Sequence, residues 1–351
     1  MKKLNKYLEK KAILITTDVN RFYLSGFHSS LGYLFIIKGK KILYVDSRYF
    51  EAAKNKTKKD VEVRLLKRLS LAFQEIKKEF SFKEIYLEAE ITVREKISFS
   101  EIFQGAEVIC EPELSDLLLS ARSIKTQEEI NFISQAQKFS EKAFLNILNF
   151  IEVGVSEKEI ALRLEYDMQT LGAEGISFET IAITGKKTSM PHGVPDESLV
   201  KNGDFITMDF GATYGGYHSD MTRTIAVGYV TDEMAKVYDT VLKAQLAAIE
   251  KAAAGVLCRD VDKTARDIIE GAGYGEYFNH STGHGVGLEI HEAPNLSPNC
   301  DKKLLSGNVV TVEPGIYIEN SFGVRIEDML LIKENGSKNL TNIEKSLIIL
   351  K

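Results

Sequence analysis

Short apolar runs, AILIT, YLFII, KILYV and VEVRL, punctuate the first third of the chain, separated by helical stretches such as LSLAFQEIKKEF. Runs of that length bounded by polar turns predict strands, and their alternation with helices predicts a small α/β domain. Near SARSIKTQEE the pattern changes. Thr126 and Glu129 have capping-box spacing, and Ile130, Ile133, Ala136 and residues 139–143 continue at helical period, so a second domain starts there. The expected division is an N-terminal domain over residues 1–123 and a second domain over 124–351.

The second domain reads as an internal duplication. GVSEKEI at 154–160 matches GVLCRDV at 255–261, HGVP at 192–195 matches HEAP at 291–294, GDFITMDFG at 203–211 matches GNVVTVEPG at 307–315, and SDMT at 219–222 resembles EDML at 327–330. The order is kept and the offset is nearly constant at about one hundred residues, so the pattern predicts two related halves facing each other. Each half should give two helices and then a hairpin carrying two acids. The first hairpin holds Asp209 and Asp220 around Gly215 and Gly216; the second holds Glu313 and Glu327 around residues 320–323.

Two carboxylates about 4 Å apart repel by roughly 4 kcal/mol at an effective dielectric near 20. Four in one place must be protonated or neutralised, and two divalent cations with a bridging hydroxide would neutralise them. His284, flanked by Gly283, Gly285 and Gly287, offers a further donor, the glycines letting backbone approach a crowded metal centre. Oxygen donors with one imidazole and no thiolate suit manganese first, with cobalt, zinc or iron as alternatives. Any one acid could be a turn former or a surface charge, and any one histidine a core residue. Taken jointly, that reading leaves unexplained why both halves put an acid after [IV]-T-x and why the histidines gather nearby.

Composition narrows the classes. The chain has 351 residues, 44% hydrophobic and 27% charged, with 6 prolines and no low-complexity tract, which suits an ordinary folded enzyme with a large core. A net charge of -5 argues against a nucleic-acid partner, and Lys54, Lys56, Lys58 and Lys59 read as a solvated face. The longest apolar run near the N-terminus, Ala12–Ile15, is too short for a signal or a membrane span, and Cys110, Cys258 and Cys300 suit reduced thiols, so a cytoplasmic protein is expected. His28, in SGFHSSLG, reads as a surface loop residue. Two apparent motifs fail: HGVGL lacks the last glycine of a dinucleotide loop at Leu288, and HEAPN has Asn295 where a zincin has its second histidine.

The segments PHGVP, MDFGATYGGYHSDMTRT, STGHGVGLEIHEAP, VTVEPGIYI and GVRIED, in that order, resemble the motif blocks of the pita-bread metallopeptidases, within them the Xaa-Pro aminopeptidases and prolidases. YLSGF and VDSRYFEAA resemble the accessory domain of the proline-specific members. The resemblance implies an α/β creatinase-like N-terminal domain and an α+β pita-bread catalytic domain with pseudo-two-fold halves. It implies that Asp209 and Asp220 bind one metal, that His284 and Glu313 bind the other, and that Asp220 and Glu327 bridge. It further implies that His192 and His291 contact the peptide and the developing oxyanion, that His280 lines the substrate pocket, and that Arg325 holds the ligand carboxylates; His218 matches no required position.

The implied activity is removal of the first residue from peptides with proline second, by a metal-bridging hydroxide with Glu313 shuttling the proton, in a homodimer. Dipeptidase activity on Xaa-Pro remains open on the sequence. A methionine-aminopeptidase-like enzyme, a creatinase-like amidinohydrolase and a non-catalytic binding scaffold are the further alternatives, disfavoured by the N-terminal domain and by five intact ligand positions.

Overall fold

The computed structural model describes residues 2–351, which divide into two compact units, residues 2–122 and 123–351. In the first unit, a six-stranded mixed sheet runs in the order Val61–Leu65, Lys40–Val45, Gly32–Ile37, Ala12–Ile15, Glu84–Leu87, Glu107–Cys110. The four apolar runs form its first four strands; the central ones are buried on both faces, as a sheet covered by helices requires. The Leu69–Glu79 and Val93–Ile102 helices bring Phe73, Ile76 and Phe99 against it.

The second unit repeats one plan twice. In its first half the Gln127–Ile147 helix starts at the Thr126/Glu129 capping box, and the Glu157–Thr170 helix starts at a second box, Ser156/Glu159. Each box satisfies backbone N–H groups left open at a helix start, a device that typically contributes about 1 kcal/mol. The helices bury Ala136, Ala143, Phe144, Ile160 and Leu164 against a four-stranded sheet containing Ile181–Thr184, Phe205–Phe210 and Met221–Val227. In the second half, Asp232–Lys251 and Cys258–Gly271 pack their Val237, Val241, Val261 and Ala265 against a five-stranded sheet containing Gly283–Gly285, Glu292–Leu296, Val309–Val312 and Asp328–Lys333. Ile181–Thr184 pairs antiparallel with Phe205–Phe210 just as Gly283–Gly285 pairs with Val309–Val312.

Each long hairpin ends in a smaller one. Phe205–Phe210 pairs with Met221–Val227, and beyond the pair Ala212–Tyr214 and Tyr217–His218 close through Gly215 and Gly216, both at positive φ. That two-residue turn with both φ positive matches the twist of the strands, and glycine takes the positive φ without the strain a Cβ would add. Val309–Val312 pairs with Asp328–Lys333, and Gly315–Ile318 with Phe322–Arg325 closes the second tip, where Asn320 takes the positive φ. Among the described residues no helix is long and apolar enough to cross a membrane.

Candidate metal centre

All four hairpin acids lie where a long hairpin gives way to its tip. Asp209 is the fifth residue of FITMDF and faces Thr222; Asp220 immediately precedes Met221–Val227; Glu313 follows Val309–Val312; Glu327 immediately precedes Asp328–Lys333. Glu327 donates its N–H to the Thr222 carbonyl at 3.2 Å, and Arg325 N–H reaches Thr224 Oγ1 at 3.2 Å, so the two halves are stitched at the acids. Arg223 adds a buried knot behind them, donating to Asp328 Oδ1 at 2.8 Å and to the Glu327 and Thr222 carbonyls at 2.6 and 2.9 Å.

His284 stands among the acids. Its Nε2 lies 3.5 Å from Asp220 Oδ2 and 3.3 Å from Glu313 Oε1, while Nδ1 lies 3.1 Å from the Gly285 carbonyl. A carbonyl only accepts, so Nδ1 carries a proton, and Nε2 is the nitrogen turned to the carboxylates, able to donate to them as imidazolium or to ligate a cation as the neutral ring. Donor atoms of Asp220, His284 and Glu327 all lie within 4.8 Å of one another. Arg325 Nη2 holds Asp209 Oδ2 at 2.6 Å, Thr222 Oγ1 donates to Glu327 Oε2 at 2.7 Å, and Thr311 Oγ1 donates to Glu313 Oε1 at 3.1 Å.

These partners leave two buried oxygens bare, Asp209 Oδ1 and Glu327 Oε1. Burial drives the Asp209, Asp220 and Glu327 carboxyls above their ordinary range, and neighbouring acids push each further; the proximity of His284 holds Glu313 low against its own burial. Buried polar atoms rarely go without a partner. Orphaned oxygens, mutually repelling acids and an imidazole with Nε2 turned inward together fit divalent cations, and Asp209, Asp220, His284, Glu313 and Glu327 are the residues that could hold them.

A cavity of about 600 Å³ opens over this cluster, and all nine residues singled out from the sequence line it: the five above with His192, His280, His291 and Arg325. His291 sets its ring edge-on to His284 at 4.5 Å between centroids. His280 directs Nδ1 at the Ser281 carbonyl, 2.8 Å, and accepts from Tyr317 Oη at Nε2, 2.9 Å; burial lowers its pKa, which keeps it neutral. Arg325 Nη1 completes the chain by donating to Tyr317 Oη at 2.8 Å and to the Pro191 carbonyl, beside His192, at 3.3 Å. His218 stays out of the cavity and donates its backbone N–H to the Gly287 carbonyl.

Sequence reasoning missed Tyr317, Thr222 and Thr311. The repeated T-x-[DE] was the available signal, yet it works in one half only: Thr311 serves Glu313, whereas Thr207 bonds Thr224 across the hairpin at 3.1 Å. The glycines around His284 also have a different reason from the expected one. A Cβ on Gly283 would strike the Thr311 backbone, one on Gly285 the backbone of Ala293, and one on Gly287 the Glu292 carboxylate, so they admit neighbouring protein rather than metal. In HEAPN, His291 ends a loop and the rest enters the Glu292–Leu296 strand, with no helix to build a zincin site.

Residues 131–334 match metallopeptidase family M24, and residues 1–116 match the creatinase/prolidase N-terminal domain. An Xaa-Pro dipeptidase of Pyrococcus horikoshii is 37% identical over 354 residues, covering 99% of this chain and 98% of the relative. Among solved structures, an Xaa-Pro dipeptidase from Bacillus anthracis superposes with a TM-score of 0.93 at 39% identity, over 99% of this chain and 98% of the other. An X-Pro aminopeptidase from Thermotoga maritima does so with a TM-score of 0.93 at 38% identity, over 99% of this chain and 100% of the other.

Proposed function

The chain belongs to metallopeptidase family M24 and has its pita-bread architecture behind a creatinase/prolidase N-terminal domain, and on that premise we propose that it is a two-metal exopeptidase cleaving the bond between a peptide's first residue and a following proline. The observation that carries the reading is the quartet of acids, Asp220 and Glu327 buried and Asp209 and Glu313 half-buried, gathered with His284 in a cavity that three further imidazoles line. Asp209, Asp220, His284, Glu313 and Glu327 hold the cations, manganese being the first candidate for this donor set. Bound divalent ions supply charge neutralisation, polarisation of the scissile carbonyl and a lowered pKa for the attacking water.

The chain's own groups do the rest. A Glu313 carboxylate oxygen takes the proton of the attacking water and returns it to the departing prolyl nitrogen. His192 and His291 donate N–H to the carbonyl oxygen as it gains charge, and His280 lines the pocket with its orientation set by Tyr317. Arg325 aims Asp209 and opposes the upward pull of burial on its carboxyl. Removal of one residue from longer peptides is the leading form of the activity; names of relatives include both aminopeptidase and dipeptidase, so the dipeptide Xaa-Pro belongs in the same assay. We propose a cytoplasmic homodimer as the working form.

The test is release of the first amino acid from Xaa-Pro-Yaa with manganese, against Met-Ala-Yaa and creatine as competitors for the assignment. Asp209→Ala and Glu327→Ala should each lose metal on dialysis, read by elemental analysis, and lower kcat/KM by more than about 10³-fold, since each deletes a group that holds the cations. A variant that keeps full activity, or a wild-type protein that prefers Met-Ala-Yaa or creatine, refutes the reading.

A further inference from the structure

Each of the three other imidazoles lining the cavity, His192, His280 and His291, sits on a loop, and each loop is tied by a buried carboxylate. Glu157 accepts the Thr184 N–H at 2.8 Å and the Asp196 N–H at 3.1 Å and pairs with Lys187 at 2.6 Å, bracketing the segment of His192. Asp262 accepts the Thr282 N–H at 3.1 Å and pairs with Arg266, which donates to the His280 carbonyl at 2.9 Å. Glu292, next to His291, accepts the N–H groups of Leu288 and Glu289 on Oε1 at 3.1 and 3.2 Å, and Oε2 meets Lys125 Nζ at 3.0 Å.

The third pair differs from the others in being closed off on both sides. Its side chains are 1% and 2% exposed, whereas Lys187 and Arg266 keep 20% and 26%. A buried ion pair contributes little net stability compared with apolar residues of equal volume, so its presence calls for a role that apolar residues cannot fill. An apolar pair would leave the Leu288 and Glu289 N–H groups without the carboxylate they bond. Glu292 satisfies them, Gly287 makes room for its carboxylate, and Lys125 sets its ammonium against the other carboxylate oxygen.

We infer that Lys125 is a positioning residue for His291: by neutralising Glu292 it fixes the loop of residues 286–291 that joins His284 to His291, and so holds the His291 ring against His284. The inference rests on the oxyanion role proposed for His291. Lys125 does not line the cavity and approaches the reaction only through that loop. Displacement of a catalytic group by about 1 Å can cost on the order of 10²-fold in rate, so the loss should fall on kcat.

The test is Lys125→Met in two backgrounds, native and His291→Ala, with metal-loaded enzyme and an Xaa-Pro-Yaa substrate. Expected are a fall in kcat of about 10- to 100-fold with KM within about threefold, and less than about a twofold further effect once His291 is gone, because residues acting through one another are non-additive. In metal-free protein the Leu288 and Glu289 amides should exchange faster in Lys125→Met. If that variant does not fold, Lys125→Met/Glu292→Gln, whose amide still accepts both N–H groups, is compared with Lys125→Met/Glu292→Ala; the first should keep kcat and the second lose it. An unchanged kcat, or the same loss with and without His291, overturns the inference. If wild-type protein hydrolyses no Xaa-Pro peptide, the function reading fails instead, and amide exchange still judges the loop.

Discussion

Tyr317 offers one oxygen to two neighbours, receiving a hydrogen bond from Arg325 and giving one to His280. Its burial pushes the phenol up to about 12, so it stays a donor throughout the working range of pH. Tyr317→Phe leaves Arg325 Nη1 and His280 Nε2 short of a partner, each worth roughly 1–3 kcal/mol when buried. Expected is a fall in kcat of about tenfold, the equivalent of ~1.4 kcal/mol, with metal content unchanged because Tyr317 is not among the proposed ligands. Steady-state kinetics alongside elemental analysis checks both halves of that statement; loss of metal would show that the phenol supports the acids directly. Tyr317 escaped notice in the sequence because nothing about an aromatic residue in GIYI sets it apart from strand packing.

At the scale of the elements, Arg223 fastens the Met221–Val227 strand of one half to the Asp328–Lys333 strand of the other. Its guanidinium makes five hydrogen bonds, to Asp328 and to the carbonyls of Thr222, Glu327, Ile343 and Glu344. Arg223→Met strands those acceptors and leaves Asp328 with Asn339 and Lys345. Removing one partner of a buried pair typically costs about 3–5 kcal/mol. Urea unfolding should show that loss, and Arg223→Lys should recover only part of it, since three donors cannot meet five acceptors. A loss below about 1 kcal/mol would contradict the knot. Strands long enough to show their apolar run, such as KILYV, were legible in the sequence; Glu84–Leu87 and Glu107–Cys110, four residues each with a charge at the start, were not. The acids were legible because duplication printed them twice. The Lys125–Glu292 pair was not, since 167 residues separate two side chains that each look like ordinary surface charge.

For the whole molecule, the proposed ligands come from segments far apart along residues 123–351, so cation binding and folding of that unit are linked. A ligand bound only by the folded form stabilises it by about 2.7 kcal/mol at one hundred times its Kd. Chelation should therefore lower the melting temperature and raise amide exchange within residues 123–351, while exchange within residues 1–122, which supply no proposed ligand, stays as it was. Calorimetry and exchange measured with and without chelator check this, and an equal loosening of both units would sever the link.

The near-repetition of the halves carries a last consequence. His192 and His291 occupy matched places in HGVP and HEAP, and both border the cavity. Two equivalent imidazoles alone would greet a bound chain identically from either end. The strand that corresponds to Gly283–Gly285 in the first half, Ile181–Thr184, carries no histidine, so His284 has no mirror image. That unmatched ring, with His280 four residues before it, gives the cleft a handedness, and with it a sense in which a peptide is read.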